Sequence, residues 1–532
     1  MKRIMKMNLD HLSSFAKSKG FILQNSIIYG NFKGTFDYGP LGCQLHNNIL
    51  KCFRNFFIIP RENIVEQHGA IICHPKVWEA SGHMKNFNDP VAINELGERC
   101  RADHLIEDYH EEIDENIEGA TNEELFEIIQ KNNIKFHNVP VVKVENANLM
   151  FKTTTLSGHD CYLRPETCQN IFINAKLIAE SSRLALPFGI AQHGKVFRNE
   201  ISPRHFVFRC REFEQLEIEY FFNPNTPNIL PLSAAENVNI NCCFADGTTK
   251  NIRVGELSST IHQQHARWIG DIIIWLTDII GLKKENLRLR EHTAKELSHY
   301  SSATFDIEYK YPMGSDGEDS VEGSGNGNEK DGGRGGGRGS GGGRGSGSGG
   351  VERVFKELCG ISNRGNYDIT QHAVASKKNL KLKCPNTGEK IYPHVIEPSI
   401  GMERLFLAIL ADAYECYKDA KEKDYEVLHL NPNICPVEFA ILPLPSSKFP
   451  NQQFFDKAKD VQKMLMKENK TTQYDQGGSI GRRYARQDGI GTKWCITVDD
   501  ITLQNDSVTI RNRDNKEQIR IQIANILSFN NI

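Results

Sequence analysis

Residues 190–222 restrict the fold most. They read IAQHGKVFRNE, ISPRHF and VFRCREFEQLEIEYFF. Two runs alternate apolar and polar residues on either side of Ser202-Pro203-Arg204, the pattern of an antiparallel hairpin. Successive side chains of a strand point to opposite faces. Arg209, Arg211, Phe213, Gln215, Glu217 and Glu219 therefore share one face, and Phe208, Cys210, Leu216, Ile218 and Tyr220 share an apolar one. Arg198 and Glu200, two apart on the first run, add a guanidinium and a carboxylate. Arginines, a ring and then acids, in that spatial order, can hold phosphates, a base and an amine side by side. The same residues can also make a salt-bridged sheet surface, and patterning leaves both readings open.

Other segments supply partners for this hairpin. Leu45, Ile49, Phe53 and Phe57 form a helical stripe that packs on the chain's own core or on a second subunit, the core being the commoner use. Residues 104–133 are acidic and helix-prone and read as an inserted subdomain with a solvated carboxylate face. Pro165, Glu166 and Thr167 mark a helix start. Glu166 there either complements the helix dipole or points into a cleft. Residues 223–255 are polar and turn-rich, a second insertion. A long helix is expected over 258–280. Residues 391–396 read as a strand running into Glu397, Pro398, Ser399 and Gly401. A helix follows, with Phe406, Leu410 and Tyr414 on one face and Arg404 in its first turn, near Glu397 and Ser399.

Residues 314–350 are rich in Gly and Ser, with Arg-Gly repeats. Too few apolar groups are present to offset ordering entropy, so disorder is expected. The segment interrupts two strand-like passages, 305–314 and 356–372, that should rejoin in space. From about Tyr425 the pattern changes to a separate α/β module. Its GGSIGRRYARQDGIG stretch reads as a Gly-bounded basic loop. Arg482, Arg483 and Arg486 there are a solvated helix start or an RNA contact.

Composition excludes some classes. A net charge of −3 gives no global basic field, so any nucleic-acid contact must be local. The 14 Cys include no CxxC pair; with no HExxH either, structural zinc is not expected and reduced thiols are. No apolar run approaches the roughly 20 residues of a membrane span. The basic opening MKRIMKMN lacks an apolar signal core, so a cytoplasmic protein is expected, with organellar use left open.

GPLGCQLHNNILKCFRNFFIIP resembles motif 1 of the class II aminoacyl-tRNA synthetases, FRNE with RCREF resembles motif 2, and GMERLFLAIL resembles motif 3. RPETCQ, REFEQLEIEYF, ELSHYSSATFDIEYKYP, IEPSIGMER and GGSIGRRYARQDGIG are together similar to the homodimeric glycyl-tRNA synthetase family. The likeness runs from about Phe21 onward, insertions apart. It implies an α/β (α+β) fold, a class II antiparallel sheet flanked by helices plus a C-terminal α/β anticodon-binding domain. The implied division is 1–103 with motif 1, a helical insertion over 104–147, 148–222 with motif 2, an insertion over 223–257, core over 258–313, the 314–350 insert, 351–420 with motif 3, and 425–532 for the anticodon.

The resemblance also implies a site. Arg198 would grip the α-phosphate and the attacking carboxylate, Glu200 would read the adenine amino group, Arg209 would reach the γ-phosphate and Phe213 would stack on adenine. Arg404 would hold the other end of the triphosphate and is, with Arg198, the expected catalytic pair. Glu357 and Leu358 match an ATP-contacting pair, with Glu357 a candidate Mg²⁺ ligand. Asn199, Cys210, Arg211, Glu212, Glu214 and Gly401 fall in the ATP-binding stretches. Glycine's ammonium would lie among Glu166, Glu217 and Glu397, beside Ser399. Glu214, Gln215, Leu216, Ile218 and Gly401 fall in the glycine-binding stretches, and Arg101 matches a substrate contact near the mouth. Motif 1 implies a homodimer, and the basic trio a contact to tRNA(Gly). Three departures stand out: Cys168 and Asn170 replace a usual small residue and Gly, VERVFK replaces a usual Trp-Gly junction before Glu357, and the Cys pairs of some relatives are absent before RADH.

These residue types suit in-line attack of a carboxylate on the α-phosphorus of ATP, then transfer to the 3′-terminal ribose of tRNA. Acids around a small cation leave little room for any side chain, so larger amino acids are rejected sterically. Rival readings are another class II synthetase and a catalytically silent RNA-binding paralogue. The latter would be expected to lose Arg198, Phe213 or Arg404, and all three are present.

Overall fold

A computed structural model describes residues 8–109, 117, 120–225, 234–313, 353–385, 387–418 and 424–529. Its centre is a nine-stranded sheet. The strands are β1 (Ile64–Glu66), β2 (Phe188–Phe197), β3 (Glu212–Phe222), β4 (Asn239–Cys243), β5 (Thr249–Arg253), β6 (Leu287–Glu291), β7 (Ala303–Tyr311), β8 (Val354–Gly365) and β9 (His394–Gly401). Their spatial order is β5-β4-β6-β7-β8-β9-β3-β2-β1. Only the β1–β2 and β4–β6 pairs are parallel.

The expected hairpin is present. β2 and β3 pair antiparallel from Phe188 opposite Phe221 to Phe197 opposite Glu212. Leu216, Ile218, Tyr220 and Phe222 alternate onto one face and join the main core. Each such fully buried side chain contributes about 1.5–3 kcal/mol. Helices α1 (Pro40–Phe53), α3 (Gln263–Ile274) and α5 (Met402–Ala413) supply apolar side chains to that core, and α2 (Cys168–Ser181) and α4 (Tyr367–Ser376) lie over the other face, around Phe172, Phe188 and Phe221. Pro40 at the first position of α1 gives up an N–H that has no helical partner there. Leu45, Ile49, Phe53 and Phe57 are all buried in the main core, so the apolar stripe is used within the chain.

The two passages flanking the Gly/Ser-rich segment do rejoin. β7 and β8 pair from Ala303 opposite Asn363 to Tyr311 opposite Val354, with a register shift between Ile307 and Glu308. Cys359 faces Ile307 and Glu357 faces Glu308, so Leu358 is the extra residue of a bulge, a device that bends a strand and re-aims its side chains. The expected disorder of 314–350 lies outside the described residues.

Other stretches differ from their sequence reading. The helix Ala102–Glu107 overlaps the start of 104–147 and Asn122–Lys131 lies inside it, but they pack on a four-stranded sheet that begins with Asn88–Asn94. The polar 223–255 stretch contains β4 and β5, which widen the central sheet at its edge; edge strands tolerate polar residues. The strand expected over 391–396 begins at His394 and runs through Gly401, so Glu397, Ser399 and Gly401 share one of its faces. In the C-terminal module, strands Phe439–Pro443, Thr472–Tyr474, Trp494–Val498, Ser507–Asn512 and Gln518–Gln522 form a five-stranded sheet. The basic stretch read as a loop is a helix, Ile480–Gly489. Among the described residues, no helix is long and apolar enough to cross a membrane.

Candidate active site

The polar face of β3, the bulged part of β8, the end of β9 and the first turn of α5 enclose a cleft. It gathers Arg198, Glu200, Arg209, Cys210, Phe213, Gln215, Glu357, Leu358, Ser399, Gly401 and Arg404, all expected from the sequence, together with Val207, Phe208 and Glu403. The Arg198 guanidinium lies 5.2 Å from the Phe213 ring centre, and its Nε donates to the Pro165 carbonyl at 3.1 Å. Arg209 Nε is 3.2 Å from Glu200 Oε2. Arg404 Nη1 donates to Glu357 Oε2 at 2.8 Å. The half-exposed Glu357 carboxyl is held below the ordinary range, because Arg404 outweighs the cost of its partial desolvation in the cleft. Burial raises Glu403, beneath the cleft, to about 7.

A second cluster lies deeper on the same sheet face. Glu217 accepts from the Thr167 backbone at 3.1 Å, from the Thr167 hydroxyl, and from Ser399 Oγ at 2.8 Å. Glu397 accepts from Arg364 Nη1 at 2.9 and 3.1 Å. Glu166 accepts from Cys168 Sγ at 2.9 Å and Gln169 Nε2 at 3.0 Å. His83 Nε2 stands 3.2 Å from the same carboxylate, with His83 Nδ1 2.8 Å from Ser81 Oγ. All three acids are buried, and an unpaired charge there is costly. Burial opposes ionisation of Glu166, but His83 and Arg364 outweigh it and hold its carboxyl well below the usual range. Burial raises Glu217 and lifts Glu397 to about 8.

The sequence reading left Glu219 out of the site. Glu217 faces Ser399 and Tyr220 faces Ile396 across β3 and β9, so Glu219 faces Glu397. It is 0% exposed, and neither carboxylate oxygen has a hydrogen-bond partner. Burial, then Glu397, pushes its carboxyl well up. The signal was present: Glu219 continues the alternation of Glu217. Arg364 was also missed. It bonds Asp368 through Nε and Nη2 at 2.8 and 3.0 Å and stacks 3.7 Å over Tyr300. No spacing pattern marks it.

Several expected residues stand elsewhere. Leu216 and Ile218 alternate into the main core. Glu214 shares their parity and pairs with His46 at 2.8 Å and Lys195 at 3.5 Å. Glu212 pairs with Lys195, and Asn199 is exposed. Arg211 donates to the Glu200 and Lys33 carbonyls, a loop-holding role. Arg101 is bound by Asp89 at 2.9 Å and by Asp103. Arg404 lines the cleft with Ser399, as expected, and pairs with Glu357, while Glu397 lies in the deeper cluster. Arg483 is buried, its guanidinium turned onto the Pro443 carbonyl, so the basic patch reduces to Arg482 and Arg486, the latter tied to Asp475 at 2.6 Å.

The central sheet, with its Arg-bearing ribbon beside the strand and helix that carry Arg404, is the scaffold of the class II aminoacyl-tRNA synthetases. Residues 151–230 match the tRNA synthetase class II core domain (G, H, P, S and T), and residues 438–529 match the anticodon binding domain. In fold alone, the chain is similar to prolyl-tRNA synthetase from Cryptosporidium parvum complexed with L-proline and AMP, at 12% identity and a TM-score of 0.56, covering 100% of this chain and 76% of that one. Nearer relatives narrow the class. The chain is 38% identical to the glycine–tRNA ligase of Mycoplasmopsis synoviae over 97% of its length and 98% of the relative's, and 38% identical to that of Caldanaerobacter subterraneus over 98% and 97%. It belongs to the glycine–tRNA ligase family.

Proposed function

We propose that the chain activates glycine with ATP and passes the glycyl group to the 3′ end of tRNA(Gly). One observation carries the choice of substrate: Glu166, Glu217, Glu219 and Glu397 are buried together, while Arg364 divides its guanidinium between Glu397 and Asp368. A small ammonium supplies positive charge to such a pocket, and acids gathered around a small cation leave little room for a side chain. Ser399, bonded to Glu217 and lining the ATP cleft, joins the two compartments.

The family likeness and the shared cleft support the following roles. Arg198 orients the glycine carboxylate against the α-phosphate, Phe213 stacks adenine, Glu200 reads its amino group, and Arg209 and Arg404 neutralise the outer phosphates. Glu357 and Asp306 both lie against Gly360, 3.5 and 3.7 Å from where its Cβ would be. These hard oxygen donors fit Mg²⁺, with Glu357 the residue that would hold it. A bound Mg²⁺ supplies charge neutralisation along the triphosphate. We assign the C-terminal module to the anticodon, with Arg482 and Arg486 as contacts, supported by its match to an anticodon binding domain. A homodimer is also proposed. The stripe on α1 is spent on the core, but Ile27, Ile28 and Tyr29 ahead of it are exposed by 67%, 82% and 86%.

Pyrophosphate exchange with each amino acid in turn tests the substrate. Exchange with glycine alone supports the reading, exchange with another amino acid replaces it, and exchange with none favours a silent RNA-binding paralogue.

A further inference from the structure

Cys168 is the odd member of the deep pocket. An ammonium gains little from a thiol, which is a weak acceptor. Yet Cys168 Sγ and one oxygen each from Glu217, Glu219 and Glu397 all lie within 4.8 Å of one another, the single such group among the described residues. All four side chains are buried, and Glu219 brings two oxygens without a partner. Arg364 reaches Glu397 but is shared with Asp368, so positive charge is short.

One soft sulfur and three carboxylates are a donor set for a borderline cation, with Zn–S near about 2.3 Å and Zn–O about 2.0–2.2 Å. Mg²⁺ and Ca²⁺ prefer oxygen and gain nothing from the thiol. Ligands that already crowd within 4.8 Å close on such an ion through side-chain adjustment.

We propose that Cys168, Glu217, Glu219 and Glu397 form a binding site for a divalent cation of the zinc class, and that this ion competes with glycine for the pocket. The competition rests on the glycine reading above; the metal site does not. On binding, the Sγ–H bond, and the O–H bond of each carboxyl that is protonated, is replaced by a bond to the metal, and those protons leave to solvent. Zinc then holds the acids that the ammonium needs, and Cys168 sets the enzyme's sensitivity to it.

Two readouts test this on the full-length protein. Cobalt added alone is expected to give thiolate-to-cobalt absorption at about one equivalent, and the band is expected to vanish in Cys168→Ser. Zinc is expected to displace it. In glycine-dependent pyrophosphate exchange, rising free zinc at fixed excess Mg²⁺ is expected to raise the glycine KM with kcat unchanged. Zinc affinity is expected to fall at least about tenfold in Cys168→Ser, each constant read against that variant's own glycine KM. Glu219→Gln serves if the serine variant does not fold and is expected to weaken zinc in the same direction. No cobalt–thiolate band, or a band that survives both substitutions, overturns the metal site even where glycine exchange is normal. Inhibition that excess glycine does not relieve overturns the competition. Absence of glycine exchange in zinc-free protein supplied with Mg²⁺ overturns the glycine reading, while the cobalt band still reports on the site.

Discussion

Arg404 and Glu357 are joined across the mouth of the cleft. Arg404 Nη1 lies 2.8 Å from the Glu357 carboxylate and 3.1 Å from its backbone carbonyl, with the guanidinium 4.5 Å from the Phe208 ring centre. A helix start and a bulged strand are thereby tied by two groups of opposite charge, each suited to a different part of a metal–triphosphate. Binding of ATP would exchange this pair for a phosphate on one side and a cation on the other. Arg404→Ala is expected to lower pyrophosphate exchange by about 10²–10³-fold, the cost of removing one donor aimed at developing charge. The melting temperature should hardly move, because a partly exposed ion pair contributes only about 0–1 kcal/mol. An unchanged exchange rate in the folded variant would refute the role.

Glu217 is the acid most directly linked to the cleft, through Ser399 Oγ at 2.8 Å. Glu217→Gln keeps the shape and removes the charge. Losing one charge-assisted contact to the ammonium is worth about 1.5–3 kcal/mol, so the glycine KM is expected to rise about 10–100-fold. The ATP KM should stay near its parent value. Exchange kinetics with each substrate varied separately decide this, and a glycine KM that does not change counts against the acid pocket.

The central hairpin was legible because a period of two is unambiguous over eleven residues of β3, and the apolar set at Leu216, Ile218 and Tyr220 has only one side to go to. The same alternation puts Glu219 on the face of Glu217, although the family likeness implies only three acids there. The Glu357–Arg404 pair was not legible. It depends on the extra residue at Leu358, and a bulge leaves no mark in composition. Arg364 was hidden for another reason: its partners Asp368 and Glu397 come from the next helix and a different strand. Arg483 shows the limit for charge runs. Three arginines in five positions say that a surface is basic, but not which of them the helix turns inward.

Arg482 and Arg483 should therefore behave oppositely. Arg483 is buried and donates to the Pro443 carbonyl, so Arg483→Ala leaves a buried acceptor without its donor, at a cost of about 1–3 kcal/mol. Denaturant unfolding of the C-terminal module should show that loss. Arg482→Ala should leave unfolding and glycine-dependent exchange unchanged and weaken tRNA charging, most at low salt, with a shallower salt dependence than the parent. Equal effects of the two substitutions on stability would contradict the placement.

Stability should also fall on mild acidification through His265. This residue of α3 is fully buried, with Nε2 2.9 Å from the Ile361 carbonyl of β8. Burial lowers its pKa to about 4, against an ordinary 6.5. The unfolded chain then binds more protons than the folded one between those values, so stability rises with pH across the window and is lost as pH falls from 6.5 towards 4. The contribution is on the order of 3 kcal/mol if the whole shift is expressed. Unfolding at several pH values, in parent and in His265→Gln, checks it. The variant should show a flatter dependence between those limits, and an equally steep one would discard the assignment.

The segment between β7 and β8 offers a last test. Tyr311 stands opposite Val354, and directly opposed residues of an antiparallel pair have Cα atoms only about 4.5–5.5 Å apart. A short turn can therefore span what residues 315–350 now span. The cleft groups on β8 lie at Glu357 and beyond, held by pairing with β7 and β9 and by Arg404 rather than by the connection. Replacing 315–350 with a short Gly-rich turn is expected to leave the glycine and ATP KM values and the exchange rate within about twofold, because closure entropy changes by only about 0.6 kcal/mol per halving of a connection's length. A folded variant with a large loss of exchange would mean that the segment itself completes the cleft.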